Sequence, residues 1–593
     1  MEDQKLDPVL PVGAERVKEF MAVLQRYRSG RVATERRIVD SENWWKLRGR
    51  KEEGNGFQSR SGWLHNVIVS KHADAMEGCP EPNILPREEG DREEARRLSA
   101  IVPCILEQNH FESVYSDIMW QKLKTGTGVY KVLWDHRRLN GLGDIAICRC
   151  NLLNLYWEPG ITDIQKSRYL FHTELTDKDA LREEYPELGD KALGGTFSQS
   201  RFLYDDPVPT ADKATVIEVY YRKEGKLHYC KFVEDTVLFA TENQLTPLLG
   251  EDGTVLQEPL ARTGLYDHGK YPFVLDPLFP IEGSPCGYGF VDLCRNPQTA
   301  IDLLNTAFIK NARVGALPRY FSRLDGNINE QEFLDLGTPL VKVAGSVDEA
   351  SLRRIDHVSL DGSYMGVLDR IIEELRTTSG NTDASTGAAP AGVTAASAIA
   401  ALQEASGKGS RDSTLGAYRA FSQVVELTIE LIRQFYSLPR QFRVTGEGGE
   451  MRFVRYTNAG LRSVHQGRDF GQDMLWRQPV FDIKVSAQRK NVYTKVSQNE
   501  LALQLYRLGF FRPQEAAGAL ACLEMMDFDG KDQVVSRIAQ GAKLWGEAME
   551  QRRQAPDQPQ LPQSDPITGM KQQEHTLVRK AREQAAQATQ PRQ

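Results

Sequence analysis

Gly407-Lys408-Gly409-Ser410 comes nearest in this sequence to a phosphate-cradling loop, the device a nucleotide-hydrolysing motor needs. It fails at two positions. Such loops read Gly-x-x-x-x-Gly-Lys-Ser/Thr, because backbone N–H groups hold the phosphates, the lysine reaches the terminal ones and the hydroxyl takes the magnesium ion. Here Leu402 occupies the first glycine position, Gly409 stands where the hydroxyl belongs, and no hydrophobic strand leads in. Gly126-Thr127-Gly128 shares two glycines with a dinucleotide fingerprint, but it precedes a strand and lacks the third glycine. The ten histidines are well separated, and no His-Glu-x-x-His, Gly-x-Ser-x-Gly or calcium-loop pattern occurs. His65, His72, His110 and His357 read as satisfied core or surface residues. Glu373 and Glu374 are adjacent on a predicted helix, where neighbouring side chains diverge by about 100°, so they read as a solvated face rather than an acid–base pair. The eight cysteines are scattered without a Cys-x-x-Cys. Cys148 and Cys150 share one face of a predicted strand, which suits packing, and a reducing compartment follows most simply. No catalytic residue, metal site or cofactor is expected.

The elements that carry these residues belong to a large globular chain. With 593 residues there is room for three or four folding units at about 150 residues each. Hydrophobic content of 40% and charged content of 26% are ordinary for a globular protein, and no apolar run reaches the roughly 20 residues of a membrane span. Residues 1–13 are acidic and polar, so no signal peptide is expected. A net charge of −7 argues against a broad basic face that grips nucleic acid. It is compatible with a surface along which a duplex slides, because tight, salt-sensitive binding needs many phosphate ion pairs.

The first 35 residues are charged and partly helical, with Val17, Phe20, Met21, Leu24 and Tyr27 at helical spacing to pack on another surface. Trp44-Trp45 and a buried stretch carrying Trp63, Val67 and Val69 follow. Pro80, Pro82 and Pro86 mark a loop, and residues 92–123 return to a helical pattern. The period then switches to two: 129–134 and 144–149 bracket Gly141-Leu142-Gly143, a hairpin signal. Further strands at 169–172, 216–222, 227–232 and 237–240 make an α+β region with a largely antiparallel sheet. After residue 436 strands return at 451–456 and 480–485. A helical segment follows at about 497–550, with Leu501, Leu505, Leu508, Phe511, Ala516, Ala519 and Met526 apolar. Beyond Gln554 the composition is rich in Gln, Pro and Ala, which predicts disorder or a lone helix.

Between Asn296 and Tyr436 the order of elements is distinctive. A helix with Asn296 as N-cap and Pro297 at its first position carries Ile301, Leu304, Phe308 and Ala312, and Pro318 ends it. A small β-containing insert follows, with runs Tyr320-Phe321 and 340–343 and an Asp325-Gly326 turn. A second helix carries Tyr364, Leu368, Ile371, Ile372 and Leu375 and stops at Ser379-Gly380. From 380 to 392 no side chain is larger than Asn or Asp, so the segment must be mobile or held by its neighbours. A third helix begins near Thr394 and runs through Tyr418, Phe421, Val425, Ile429, Ile432 and Tyr436, with a kink expected at 406–409.

In this order the chain resembles the portal proteins of tailed bacteriophages, which form the ring through which DNA enters and leaves the capsid. Pro297-Gln298 and Asn305, Thr394-Ala395-Ala396, Glu94-Ala95, Asn109-His110-Phe111, Gly126-Thr127-Gly128 before 132–135, and Leu508-Gly509-Phe510 are similar to stretches of that family. Trp157-Glu158-Pro159 departs from it, since many relatives carry an aspartate there. The resemblance implies an N-terminal arm (1–35), a wing (36–286), a first stem helix (287–317), a clip (318–359) and a second stem helix (360–379). A tunnel loop (380–393), a wing helix with the rest of the wing (394–496), a crown (497–553) and a tail (554–593) complete it.

It also implies a homo-oligomeric, twelve-fold ring in the virion, assembled in the host cytoplasm. Its partners would be double-stranded DNA held transiently, the packaging terminase, the major capsid protein and scaffold, and head-completion or tail adaptor proteins, with no membrane. The tunnel loop would present Gly380, Asn381, Thr382, Asp383, Ser385, Thr386 and Gly387 to the duplex. Lys310, Arg313 and Lys408 are the nearest basic candidates to ring the channel, with channel, solvated and intersubunit roles all open. In the clip, Arg319, Arg323, Asp325, Asn327, Glu330 and Glu332 either dock the terminase or solvate a turn. A capsid-associated scaffold without a channel, and an enzyme with an unrecognised motif, are the alternatives.

Overall fold

In the first part of the chain two antiparallel sheets carry the core, and helices that precede and follow them in sequence cover them. The computed structural model describes residues 11–47, 58–186, 211–249, 255–316, 320–322, 331, 352–354, 361–381, 408–445, 451–462, 464–465, 468–469, 472–473, 476–487, 504–510, 512, 514, 516–524 and 531–554. The chain divides into two compact units, residues 1–489 and 490–593.

In the first unit, α1 (Ala14–Ser29) buries Val17, Phe20, Leu24 and Tyr27, the positions its spacing marks. The surface they pack on belongs to the same unit: Phe20 lies against Tyr221 and Phe232, and Tyr27 meets Phe171 edge-on. Arg31, buried ahead of α2 (Val32–Trp45), donates to the carbonyls of Leu152 and Leu155 and sits 4.1 Å from the Trp157 ring centroid. Trp157 therefore supports the fold here. Residues 63–69 open a helix, α3 (Trp63–Glu77), whose period turns Leu64, Val67, Ile68 and Lys71 inward and leaves Val69 exposed.

The three prolines predicted to mark a loop stand instead in a strand, β1 (Pro80–Pro86). It pairs antiparallel with β14 (Phe481–Ala487). Alternate residues of such a strand turn their N–H groups away from the partner. Pro80, Pro82 and Pro86 share that parity with Ile84, whose N–H goes to Ser99 Oγ at 3.1 Å, so the prolines remove no bond from the ladder. The helical pattern of 92–123 is two helices, α4 (Arg92–Gln108) and α5 (Phe111–Thr125), divided where His110 adopts a left-handed conformation. Asn109 turns its amide onto the carbonyls of Ile105 and Ile145 and locks the corner.

The predicted hairpin forms from β2 (Thr127–Asp135) and β3 (Asp144–Arg149). The glycines before it are packing devices. A Cβ on Gly126, at φ 89°, would stand 2.3 Å from the Tyr288 carbonyl carbon, and one on Gly128 2.5 Å from Ile118 Cγ2. β4 (Leu155–Tyr156), β5 (Tyr169–Asp177), β6 (Lys213–Lys223), β7 (Lys226–Val233) and β8 (Thr236–Ala240) form the five-stranded sheet in sequence order, and β9 (Phe273–Pro277) joins β2 on the side opposite β3.

A buried charge cluster ties the two sheets together. Glu218 on β6 accepts from Lys131 of β2 at 2.7 Å, from His172 Nδ1 of β5 at 2.9 Å and from the Tyr229 hydroxyl of β7 at 3.0 Å. Burial opposes the Glu218 charge, but Lys131 and His172 outweigh it and hold the carboxyl well below its usual range. Burial and Lys131 oppose a charge on His172, yet its bonds to Cys150 and Glu218 raise it to about 9. A histidine raised on folding contributes stability that is complete below its unfolded value of about 6.5 and is lost as the pH climbs through the folded one. The carboxylate's contribution disappears only at far lower pH. Between about pH 6.5 and about pH 9 the wild type should therefore lose on the order of 3 kcal/mol of stability that a His172→Gln variant does not lose. Urea midpoints of both proteins across that range check this.

Beyond β9 comes α6 (Phe290–Ala316). It begins at Phe290 rather than Pro297: Asp292 in its first turn reaches back to the Gly289 N–H at 3.1 Å and supplies the start signal expected of Asn296. Pro297 lies inside the helix. Tyr320-Phe321 does form a strand, β10 (Tyr320–Ser322), and its partner is β11 (Leu352–Arg354), which periodicity did not mark. Residues 340–343 lie outside the described residues. α7 (Ser363–Ser379) and α8 (Lys408–Phe435) follow; the expected start of the third helix and the first half of its expected kink, 394–407, lie outside the described residues, while Lys408 and Gly409 of that kink are the first residues of α8. α8 lays Phe421, Val424, Val425 and Ile432 into the main core, with Phe421 5.1 Å from Phe111. β12 (Arg440–Thr445) and β13 (Met451–Tyr456) make a hairpin after it.

The second unit contains α9 (Ala516–Glu524) and α10 (Lys531–Gln554), with Leu505, Ala516, Leu523 and Ile538 buried together. Leu508, placed on the apolar stripe by its spacing, is exposed. The residues after Gln554 lie outside the described residues. The architecture as a whole is a mixture of helix and small antiparallel sheets, an α+β protein.

Candidate functional site

α6 and α7 pack side by side, and the amphipathic spacing of each explains the contact. Ile301 and Cys294 of α6 and Leu368 and Leu375 of α7 are buried in one cluster with Leu64, Val67 and Ile68 of α3. Leu304, Phe308, Ile371 and Ile372 lie half-buried at its margin. The pairing leaves apolar side chains uncovered. Leu303 and Ile309 on α6, and Tyr364, Met365 and Val367 on α7, are exposed, Leu303 to 60%. Tyr364, predicted for the buried stripe, is among them. Glu373 and Glu374 are also exposed, as a solvated face requires.

The other side of α6 is fastened to α3 by polar groups one helical turn apart. Gln298 is 2% exposed; its Oε1 accepts from the Leu64 N–H at 3.0 Å, and its Nε2 donates to the Ser61 carbonyl at 2.9 Å and to Asp302 Oδ1 at 3.0 Å. Asp302 accepts from the Ser61 N–H at 2.8 Å, and Thr306 Oγ1 from the Ser59 N–H at 2.9 Å. The first N–H groups of a helix lack partners within it, and Gly62 at the N-cap of α3 has no side chain to supply one. Gln298 caps α3 from a different helix. Replacing it by leucine leaves the Leu64 N–H and the Ser61 carbonyl buried and unpaired, so Gln298→Leu should cost about 1–3 kcal/mol in urea unfolding.

α7 ends as the sequence predicts. Gly380 takes the left-handed conformation, φ 66°, and its N–H closes on the Thr377 carbonyl at 3.1 Å. Asn381 is buried and donates its N–H to the Arg376 carbonyl at 3.0 Å. The helix C-terminus thus holds these first two residues of the predicted loop. Thr382, Asp383, Ser385, Thr386 and Gly387 lie outside the described residues. Lys310 and Arg313 are exposed in the last turns of α6. Lys408 opens α8, and its side chain lies outside the described residues. So do Arg319, Arg323, Asp325, Asn327, Glu330 and Glu332 of the insert between α6 and α7.

On the far side of the loop, α8 is held by a buried lysine. Lys122 of α5, fully buried, donates to Asp276 of β9 at 2.8 Å and to the Ser413 carbonyl of α8 at 3.2 Å. Burial raises the Asp276 carboxyl above its ordinary range even though Lys122 opposes the shift. Sequence reasoning missed this lysine and the α3 contacts alike. One trace of the latter was visible: Gln298, Asp302 and Thr306 form a polar stripe at four-residue spacing on an otherwise apolar helix.

A family model described as Phage P22-like portal protein matches residues 74–253 and 338–592. The chain belongs to the P22-like phage portal protein family. The match covers most of the chain, including α7, α8 and the residues between them, while α6 falls in the interval it leaves out. No curated protein matches the chain. Membership gives this portal-family chain a structural role in a bacteriophage capsid. Among the described residues no three or more His, Cys, Asp or Glu side chains are grouped to hold a metal ion, and no described helix is long and apolar enough to cross a membrane.

Proposed function

We propose that the protein assembles into a closed ring, twelve-fold by its resemblance to other portals, at one capsid vertex, and that double-stranded DNA is packaged and ejected through it. The carrying observation is the set of large apolar side chains that the paired α6 and α7 leave exposed, Leu303, Ile309, Tyr364, Met365 and Val367, which a neighbouring subunit would cover. Identical subunits that cover one another's helices make head-to-tail contacts, and such contacts stop growing only when the ring closes. In that ring 380–392 reaches toward the axis, and the mildly acidic chain leaves the duplex free to slide. Lys310, Arg313 and Lys408 are the basic residues nearest the path. The insert between α6 and α7, with Arg319, Arg323, Asp325, Asn327, Glu330 and Glu332, offers the terminase and later the head-completion or tail adaptor proteins a docking face. The major capsid protein and scaffold meet the wing. Light scattering of the purified protein tests the assembly: a large multiple of the 66.8 kDa subunit supports the ring. A folded monomer at high concentration, above all one with turnover, argues for the enzyme alternative.

A further inference from the structure

α7 ends and α8 begins on either side of residues 382–407, and one side chain touches both flanks. Lys71 of α3, 7% exposed, directs its Nζ to the Gly380 carbonyl at 3.4 Å and to Ser410 Oγ at 3.0 Å. Ser410 in turn donates to Asp74 at 2.8 Å, and Asp74 lies 3.7 Å from the Lys71 ammonium. Ser70 Oγ donates to Asn381 Oδ1 at 3.3 Å. Burial of a lysine is costly unless its charge is compensated, and here a carbonyl, a hydroxyl and a half-exposed carboxylate compensate it. The Lys71 ammonium is held below its ordinary value by burial, which Asp74 opposes.

We propose that Lys71 is the positioning residue for this loop, a clamp that holds both of its feet together on α3. The inference rests on the reading of 380–392 as the loop that meets DNA, but the clamp itself does not. Bringing the ends of a long segment together costs entropy, and a single buried donor shared by the two ends offsets that cost at the base. The same helix is fastened at its N-terminus to Gln298 of α6, and the residues leading into it, Ser61 and Ser59, to Asp302 and Thr306 of α6. A pull on the loop is therefore received by α3 and passed to α6.

The test is amide exchange of the assembled ring, comparing wild type with Lys71→Met, which keeps the buried stem and removes the donors, with Ser410→Ala, and with the double variant. Exchange at Gly380, Asn381 and Ser410 should rise about 10- to 100-fold in Lys71→Met while the core of β2 and β6 is unchanged. The two substitutions should be non-additive, since they break one shared contact. Additive effects, a rise at only one foot, or no rise at either foot would overturn the clamp. Should Lys71→Met misfold, Ser410→Ala leaves the Lys71 ammonium with the Gly380 carbonyl and Asp74 as partners and still loosens the Ser410 foot if the clamp exists. Genome retention by particles built with the same variants reads the other premise: fast exchange at the feet with normal retention leaves the clamp standing and removes the DNA role of the loop.

Discussion

Shortening the loop by removing residues 383–390 is expected to leave ring assembly and thermal stability at wild-type levels while particles carry truncated genomes or lose them after filling. The expectation follows from composition. Asp383 is the only charged residue between Gly380 and Gly392, and Gly, Ala, Ser, Thr, Asn and Pro make up the rest, which gives reach without bulk. With no lysine or arginine the loop forms no phosphate ion pairs, so its hold on a duplex is steric and the salt dependence of retention should be shallow. Both feet lie outside the deleted residues: Gly380 and Asn381 stay on α7, and Ser410 stays on α8. The deletion therefore removes the reach and spares the base. Packaged genome length, measured on assembled particles, decides the matter, and full-length, stably held genomes would reduce the loop to a linker.

The largest expected effect on stability belongs to Lys122. Its ammonium and the Asp276 carboxylate are 0% and 1% exposed, and the pair joins α5 and β9 while its second bond reaches the Ser413 carbonyl of α8. Two charges in a dry interior are each costly, and removing one leaves the other uncompensated. Lys122→Ala should cost about 3–5 kcal/mol, a large share of the 5–15 kcal/mol that stabilises a typical domain. Restoring the balance is the control. Lys122→Met combined with Asp276→Leu removes both charges and keeps the volume, so it should recover most of that loss, because replacing a buried pair by apolar groups is often neutral. Urea midpoints of the three proteins measure this. A single variant within about 1 kcal/mol of wild type would show that the pair contributes little.

Where function depends on a local period, it was legible. The strand-like runs 129–134 and 144–149 on either side of Gly141-Leu142-Gly143 form the hairpin, and the stripe at Leu368 and Leu375 with Gly380 behind it marked both the face and the end of α7. Three local signals misled. Prolines 80, 82 and 86 looked like loop punctuation because the parity that makes them harmless depends on β14, about four hundred positions away in the chain. The apolar spacing from Ala95 to Met119, broken only by the five-residue step from Leu106 to Phe111, hid the corner at Asn109, whose amide is satisfied partly by Ile145. Asn296-Pro297 looked like a helix start, though Gly289 and Asp292 had already provided one. The base of the candidate loop was the least visible part. Lys71, Gly380 and Ser410 meet only through tertiary packing, and no spacing rule within one helix links them. The family's order of elements supplied the loop itself, because a run of small residues between two amphipathic helices has no functional meaning until both helices are placed in a ring.

End-on electron images of the purified assembly decide whether the protein forms an open ring. A closed ring of identical subunits is expected, with a hole along its axis, narrowed at one level, and a wider hole at that level once residues 383–390 are removed. A disc with no axial opening, or open filaments of unclosed subunits, would contradict it and leave the protein a capsid-associated scaffold.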